Sequence, residues 1–376
     1  MRGTGVMVLI ALGAFVLLGS FDGALGVAWP AMRSHFSRGV ADLGLLLACG
    51  SVGYLVASIG YGRVHARVGT GLALTVGGGL LGIGALGFAV APAFWVVSVS
   101  AVMLGLGGGL IDAGMNAHAA LAFDIRSINL LHAAYGVGAT AGPLVITLSL
   151  GTGGSWRAGY AVLALTQIGL LAATLRPRHS WSVSDAGAEE GSAPVVSRMV
   201  LLLAPFLVYT GVEVGAGQWA FTLLTESRGM SVTAAGTWVA AYWGGLTVGR
   251  FGLGLAGNRL APGPTITTSL LVCIVGLCLL WWDPASLGVI GLPVAGLGLA
   301  SVFPMLVSLT PARIGRSRAT ATVGYQLAAA NLGAAALPWL FGVIAERRGL
   351  GTLAPSLLIT AVALALLHVA TERVNA

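Results

Sequence analysis

The chain has 376 residues, 57% of them hydrophobic and 8% charged, with a net charge of +7 carried by 19 arginines and no lysine. A mean hydropathy of +0.92 excludes a soluble globule, because too little polar surface remains to cover one. The positive charge then reads as membrane topology and attraction to anionic lipid headgroups rather than nucleic-acid binding.

A bilayer core about 30 Å thick is crossed by about 20 apolar residues rising roughly 1.5 Å each. Breaks at charges, glycine and proline predict about twelve such segments. They cover residues 5–32, 40–62, 69–91, 93–121, 128–150, 157–175, 199–225, 232–256, 264–282, 285–310, 318–344 and 350–370. The first is too long, and lacks the small-residue cleavage pattern, to be a removed signal peptide. It carries Asp22, an acid in a setting where an ionised side chain is costly. The loop after the second segment reads GRVHARVG from Gly62 to Gly69, with Arg67 inside it. A second acid, Asp112, lies in the fourth segment with Asn116 one turn on. In the fifth, Asn129, His132 and Tyr135 recur every three residues, so each set shares a helical face.

Residues 176–198 are the longest polar stretch and divide the segments six and six. In the seventh segment Tyr209 and Glu213 are one turn apart, with Gln218 and Trp219 beyond them. The eighth holds Tyr242, Trp243 and Arg250 and ends in GLAGNRLA from Gly254, which contains Arg259. Gln326 and Asn331 bring two amides to the eleventh. The reading is an all-α integral membrane protein of two six-helix bundles, over 1–175 and 199–376, joined by a cytoplasmic linker at 176–198.

Orientation follows from the arginines. With the N-terminus in the cytoplasm, Arg2, Arg63, Arg67, Arg126, Arg176, Arg178, Arg198, Arg259, Arg313, Arg316, Arg318 and Arg373 lie inside, against Arg33, Arg38, Arg157, Arg228, Arg347 and Arg348 outside. That excess predicts a multi-pass protein of the cell's inner (plasma) membrane with both termini cytoplasmic. Cys49, Cys273 and Cys278 have no metal-ligand spacing and read as packing residues, so no metal or cofactor is expected. The 58 glycines read as close helix packing, since their runs lack the strand and lysine of a phosphate loop.

The halves look like a repeat. A shift of 191 places Asp22 on Glu213, Gly26 on Gly217, Gly53 on Gly244, and Gly105-x-Gly107 on Gly296-x-Gly298. A shift of 192 places Gly62-x-x-x-Ala66-Arg67-x-Gly69 on Gly254-x-x-x-Asn258-Arg259-x-Ala261, and 195 places Gly138 and Pro143 on Gly333 and Pro338. Two six-helix halves running in the same direction are the plan of a transporter that rocks around a midplane site.

On these residues the chain resembles the major facilitator superfamily. GRVHARVG is similar to that family's cytoplasmic G-x-x-x-D-R-x-G signature, and GLAGNRLA to its second copy, with Ala66 and Asn258 in place of the acid. The resemblance implies a cytoplasmic gate formed by Gly62, Arg67, Gly69, Gly254 and Arg259, to which Arg250 adds an anchor. A narrower likeness covers GLGGGLIDAGMNAHAA from Gly105 and NLLHAAYGVGATAGP from Asn129, which resemble the fucose permease (fucose:proton symporter) branch. It implies that Asp112 handles sugar and proton, that Asp22 is a protonation site, and that Asn129 and His132 are the polar pair of the fifth helix.

Chemistry supports the same grouping. Burial of an isolated carboxylate favours its neutral form, so proton uptake can be tied to a change in exposure. Asp22, Asp112 and Glu213 are the proton-coupling candidates. Amides and broad rings suit hydroxyl-rich ligands. The solute-binding candidates are therefore Asn116, Asn129, His132, Tyr135, Tyr209, Gln218, Trp219, Tyr242, Trp243, Gln326 and Asn331. Embedded amides also serve as helix-to-helix bonds, a reading that stands beside the functional one for Asn116 and Asn331. The expected function is proton-coupled transport of a small polar solute, a sugar or sugar-like compound, by a monomer using alternating access, with Na⁺ as the other candidate coupling ion. The alternative is a proton-driven antiporter exporting drugs or metabolites, for which Gly138-x-x-x-Gly142-Pro143 is a partial signature. No H-E-x-x-H, G-x-S-G or metal-ligand set points to an enzyme.

Overall fold

Inside a bilayer every backbone N–H and C=O needs a partner from its own chain, so the apolar runs form helices. The computed structural model describes residues 2–122, 125–175, 196–256, 260–283, 287–314 and 316–375. Side chains are described there except at 2–7, 66, 117–122, 125–130, 132, 175, 196–199, 254, 311–312, 316–321, 324 and 374–375. The helices are α1 (Arg2–His35), α2 (Asp42–Val90), α3 (Phe94–Ala122), α4 (Ile125–Gly151), α5 (Trp156–Leu175), α6 (Val196–Thr222), α7 (Val232–Ala256), α8 (Pro262–Trp282), α9 (Gly291–Leu299), α10 (Val302–Ile314), α11 (Arg316–Arg348) and α12 (Leu353–Asn375). A π-helical turn, Leu223–Ser227, extends α6.

Two boundaries differ from the sequence reading. The predicted second and third segments run together as α2, across a turn at Gly69 with φ 74°, a left-handed conformation that favours glycine. The equivalent Ala261 has φ −72° and leads directly into Pro262 at the start of α8. No left-handed residue is needed there, and alanine suffices. The predicted tenth segment is divided into α9 and α10 at Ala300 and Ser301. Among the described residues, ten stretches are long and apolar enough by length and composition to cross a membrane. The two other predicted spans, α5 and α7, carry Arg157 with Gln167, and Arg250.

The chain divides into two compact units, residues 1–186 and 187–376. In the first, α2 packs on α3 and α5 while α1 packs on α4. In the second, α6 packs on α11 and α12, α7 on α9, and α8 on α9 and α12. The most enclosed helices are α1 and α6: no residue of α6 from Leu201 to Leu224 is exposed, and on α1 from Ile10 to Arg33 only Asp22 is.

The glycine repeat is visible as repeated crossings within each unit. A Cβ on Gly138 would fall on the Val16 carbonyl, and one on Gly333 on the Leu207 carbonyl. Likewise Gly105 abuts the Gly50 carbonyl, as Gly296 does that of Tyr242. One register shifts: Gly53 abuts the Val102 carbonyl and its counterpart against Pro293 is Gly245, not Gly244, because the partner helices are offset by one residue more. Gly138→Ala should therefore lower stability by roughly 1–3 kcal/mol through overpacking against backbone that cannot yield. Gly79→Ala, where the added methyl meets nothing within 4 Å, should be neutral or stabilising by helix propensity. Thermal unfolding of the two purified variants separates these outcomes, and equal losses would contradict the crossing.

Candidate functional site: two carboxylate–tyrosine pairs and an ion pair

In the first unit each embedded acid meets a tyrosine from a neighbouring helix. The Tyr135 hydroxyl of α4 donates to Asp22 Oδ2 at 2.6 Å. The reach is set by small residues: a Cβ on Gly19, three residues before Asp22, would strike the Tyr135 carbonyl, so the two backbones touch where the pair forms. Asp22 itself is exposed, so its carboxylate borders open space although its helix neighbours are buried.

Asp112 on α3 is held differently. The Tyr54 hydroxyl of α2 donates to Oδ2, while Asn116 Nδ2 donates to Oδ1 at 2.9 Å and also to the Asp112 carbonyl. Gly105 and Gly109 lie against the Tyr54 backbone, which fixes the depth at which the hydroxyl meets the acid. Both oxygens of this half-buried carboxylate thus accept hydrogen bonds, and Asn116 positions it. Tyr54 was missed in the sequence; its signal was a phenol hydroxyl next to the repeat residue Gly53. The side chains of Asn129 and His132 lie outside the described residues.

In the second unit Arg250 Nη2 donates to Glu213 Oε1 at 2.9 Å and to the Tyr209 hydroxyl at 3.5 Å. The Tyr242 hydroxyl donates to the Glu213 carbonyl at 2.7 Å. Arg250 was grouped in the sequence with the cytoplasmic gate. Its side chain faces α6, because it lies on the α7 face of Val239, Trp243 and Leu246, spaced at helical intervals and buried.

Several amides and rings named as solute contacts are engaged inside this unit. Trp219 donates its indole N–H to the Pro338 carbonyl at 2.9 Å. Gln326, only 1% exposed, exchanges hydrogen bonds of 3.0 and 3.1 Å with Thr310. Asn331 donates to the Leu327 carbonyl of its own helix. The polar atoms of Trp219, Tyr242 and Gln326 thus join helices of this unit, and the Asn331 amide bonds within α11; these engagements stand beside the expectation that the four residues contact solute. Tyr209, Gln218 and Trp243 are buried, and Trp243 lies against Gly217, which has no side chain to displace its ring.

At the loop between the two arms of α2, Gly62 and Arg67 are exposed. The arms are tied there by His65, stacked on Tyr61, whose Nδ1 lies 3.1 Å from the Thr70 hydroxyl. That bracket was not foreseen. Asn258 and Arg259 of the second copy lie outside the described residues. Among the described residues no group of His, Cys, Asp and Glu is arranged to hold a metal ion.

Known proteins bear on this arrangement. Residues 10–338 match the family model of the Major Facilitator Superfamily. A glucose/galactose transporter of Brucella abortus is 26% identical over 348 residues, covering 85% of this chain and 83% of the relative. Bypass of stop codon protein 6 of Saccharomyces cerevisiae is 23% identical, covering 92% and 78%. Among solved structures, a D-xylose-proton symporter superimposes with a TM-score of 0.79 at 14% identity, covering 97% of both chains. A nucleoside transporter reaches 0.80 at 12% identity, covering 97% and 99%. The family match spans most of the chain and the fold is shared throughout, so this chain is a multi-pass, all-α membrane transporter of the major facilitator superfamily.

Proposed function

We propose that this transporter couples proton flow to the uptake of a neutral sugar or sugar-like solute by alternating access. The observation that carries the reading is Asp22, the one exposed residue of α1 between Ile10 and Arg33, its carboxylate bonded to the Tyr135 hydroxyl. An acid so placed can take a proton from one side and release it when the helices rock, because its exposure changes. Asp112, already oriented by Tyr54 and Asn116, is the acceptor for solute hydroxyls. The glucose/galactose transporter of Brucella abortus supports the solute class. We place the chain in the inner membrane, with both termini and the linker at 176–198 in the cytoplasm, on the arginine distribution.

The export reading rested on Gly138, Gly142 and Pro143. The crossing of Gly138 on Val16 has its counterpart at Gly333 on Leu207, which supports reading Gly138 as part of the repeated fold. Proteoliposomes with an imposed pH gradient test the proposal: labelled glucose or galactose should enter with the proton flow. Solute movement against the proton flow refutes symport, and uptake driven by a Na⁺ gradient alone assigns the other ion.

A further inference from the structure

The second unit carries an embedded cation, Arg250, and gives it an embedded partner. Arg250 sits on the inward face of α7, away from the exposed stripe of Thr237, Val248, Phe251 and Leu255. Its guanidinium meets Glu213 at 2.9 Å, and their side chains remain 23% and 11% accessible. Tyrosines support both ends: Tyr209 faces the guanidinium, and Tyr242 holds the Glu213 backbone. The pair is therefore built in place yet open to contact.

An arginine in such a position is the natural receptor for a carboxylate, since its planar N–H fork matches two carboxylate oxygens and it keeps its charge across the accessible pH range. Here the carboxylate is supplied from within the chain. We propose that Glu213 acts as an internal stand-in for a solute carboxylate, occupying Arg250 so that neutral sugars are accepted and sugar acids refused. The inference rests on the sugar reading above and deepens it by naming a specificity determinant. A sugar acid would have to displace a group already tethered in place, one carboxylate for another, with no gain in charge pairing and against a high effective concentration. Removal of that charge takes away the carboxylate that Arg250 meets at 2.9 Å and with it the tethered competitor of an incoming anion.

The test is ligand-dependent thermal stabilisation of the purified full-length protein with D-glucose or D-gluconate as probe. Wild type should respond to glucose and not to gluconate. Glu213→Gln should gain a saturable response to gluconate, roughly tenfold or more in apparent affinity over wild type, and Glu213→Gln combined with Arg250→Gln should lose it. If Glu213→Gln folds only when an anion is present, recovery in gluconate but not in glucose is the same gain, and recovery in neither overturns the proposal. A gluconate response in wild type equal to that of Glu213→Gln, or one that persists in the double variant, also overturns it. Failure of glucose to act on any of these proteins counts against the neutral-sugar reading alone, because the gluconate comparison reads Arg250 directly.

Discussion

Asp22→Asn should abolish proton-driven accumulation of solute while leaving exchange of labelled for unlabelled solute intact. Asparagine keeps an oxygen to accept the Tyr135 hydroxyl, which lies 2.6 Å from the acid, so the crossing of α1 and α4 is preserved. It cannot bind a proton. Exchange needs only the loaded carrier to rock, whereas net uphill transport needs the unloaded carrier to return with the proton released. With one proton per solute, each pH unit across the membrane supports about tenfold accumulation, since a unit is worth about 1.36 kcal/mol. The variant should show none. Asp112→Asn should instead weaken solute binding, because that carboxylate's oxygens are oriented by Tyr54 and Asn116. Accumulation by Asp22→Asn equal to wild type would remove Asp22 from the coupling role.

The sequence made the architecture legible because a membrane leaves few choices: apolar length sets the helices, and small residues set where they cross. Several of the glycines spaced at 191 to 195 mark crossings, as Gly138 on Val16 and Gly333 on Leu207 demonstrate. Asp22, Asp112 and Glu213 were conspicuous for the same reason, acids being costly among apolar neighbours. What could not be read was which polar group meets which. Tyr54 lies 58 residues from Asp112, and only the packing of α2 on α3 joins them. Gln326 and Trp219 suggested solute contacts by residue type, but hydrogen-bond accounting inside the second unit engages them with Thr310 and Pro338. The turn that ends GRVHARVG was legible at Gly69, where the backbone needs a left-handed residue. The Arg250 partnership was not, since a position along one helix does not specify the helix it faces.

The same partnership sets the second large effect, on stability. Glu213→Leu should destabilise the protein on the order of 3 kcal/mol, because an arginine that cannot lose its charge is left among helices with its counter-ion gone. Arg250→Leu should cost less, since the remaining carboxylate can be neutralised by taking up a proton. Combining Glu213→Leu with Arg250→Leu should recover most of the loss, as replacing both members of a buried pair by apolar groups is often close to neutral. Reversible unfolding of wild type, the two single variants and the double variant in detergent gives the coupling energy directly. A 2.9 Å contact between side chains that are 23% and 11% accessible predicts a coupling well above the 0.2–1 kcal/mol typical of exposed pairs. Strictly additive losses would mean that the contact contributes nothing to the fold, and that Arg250 finds its stabilisation elsewhere in the second unit.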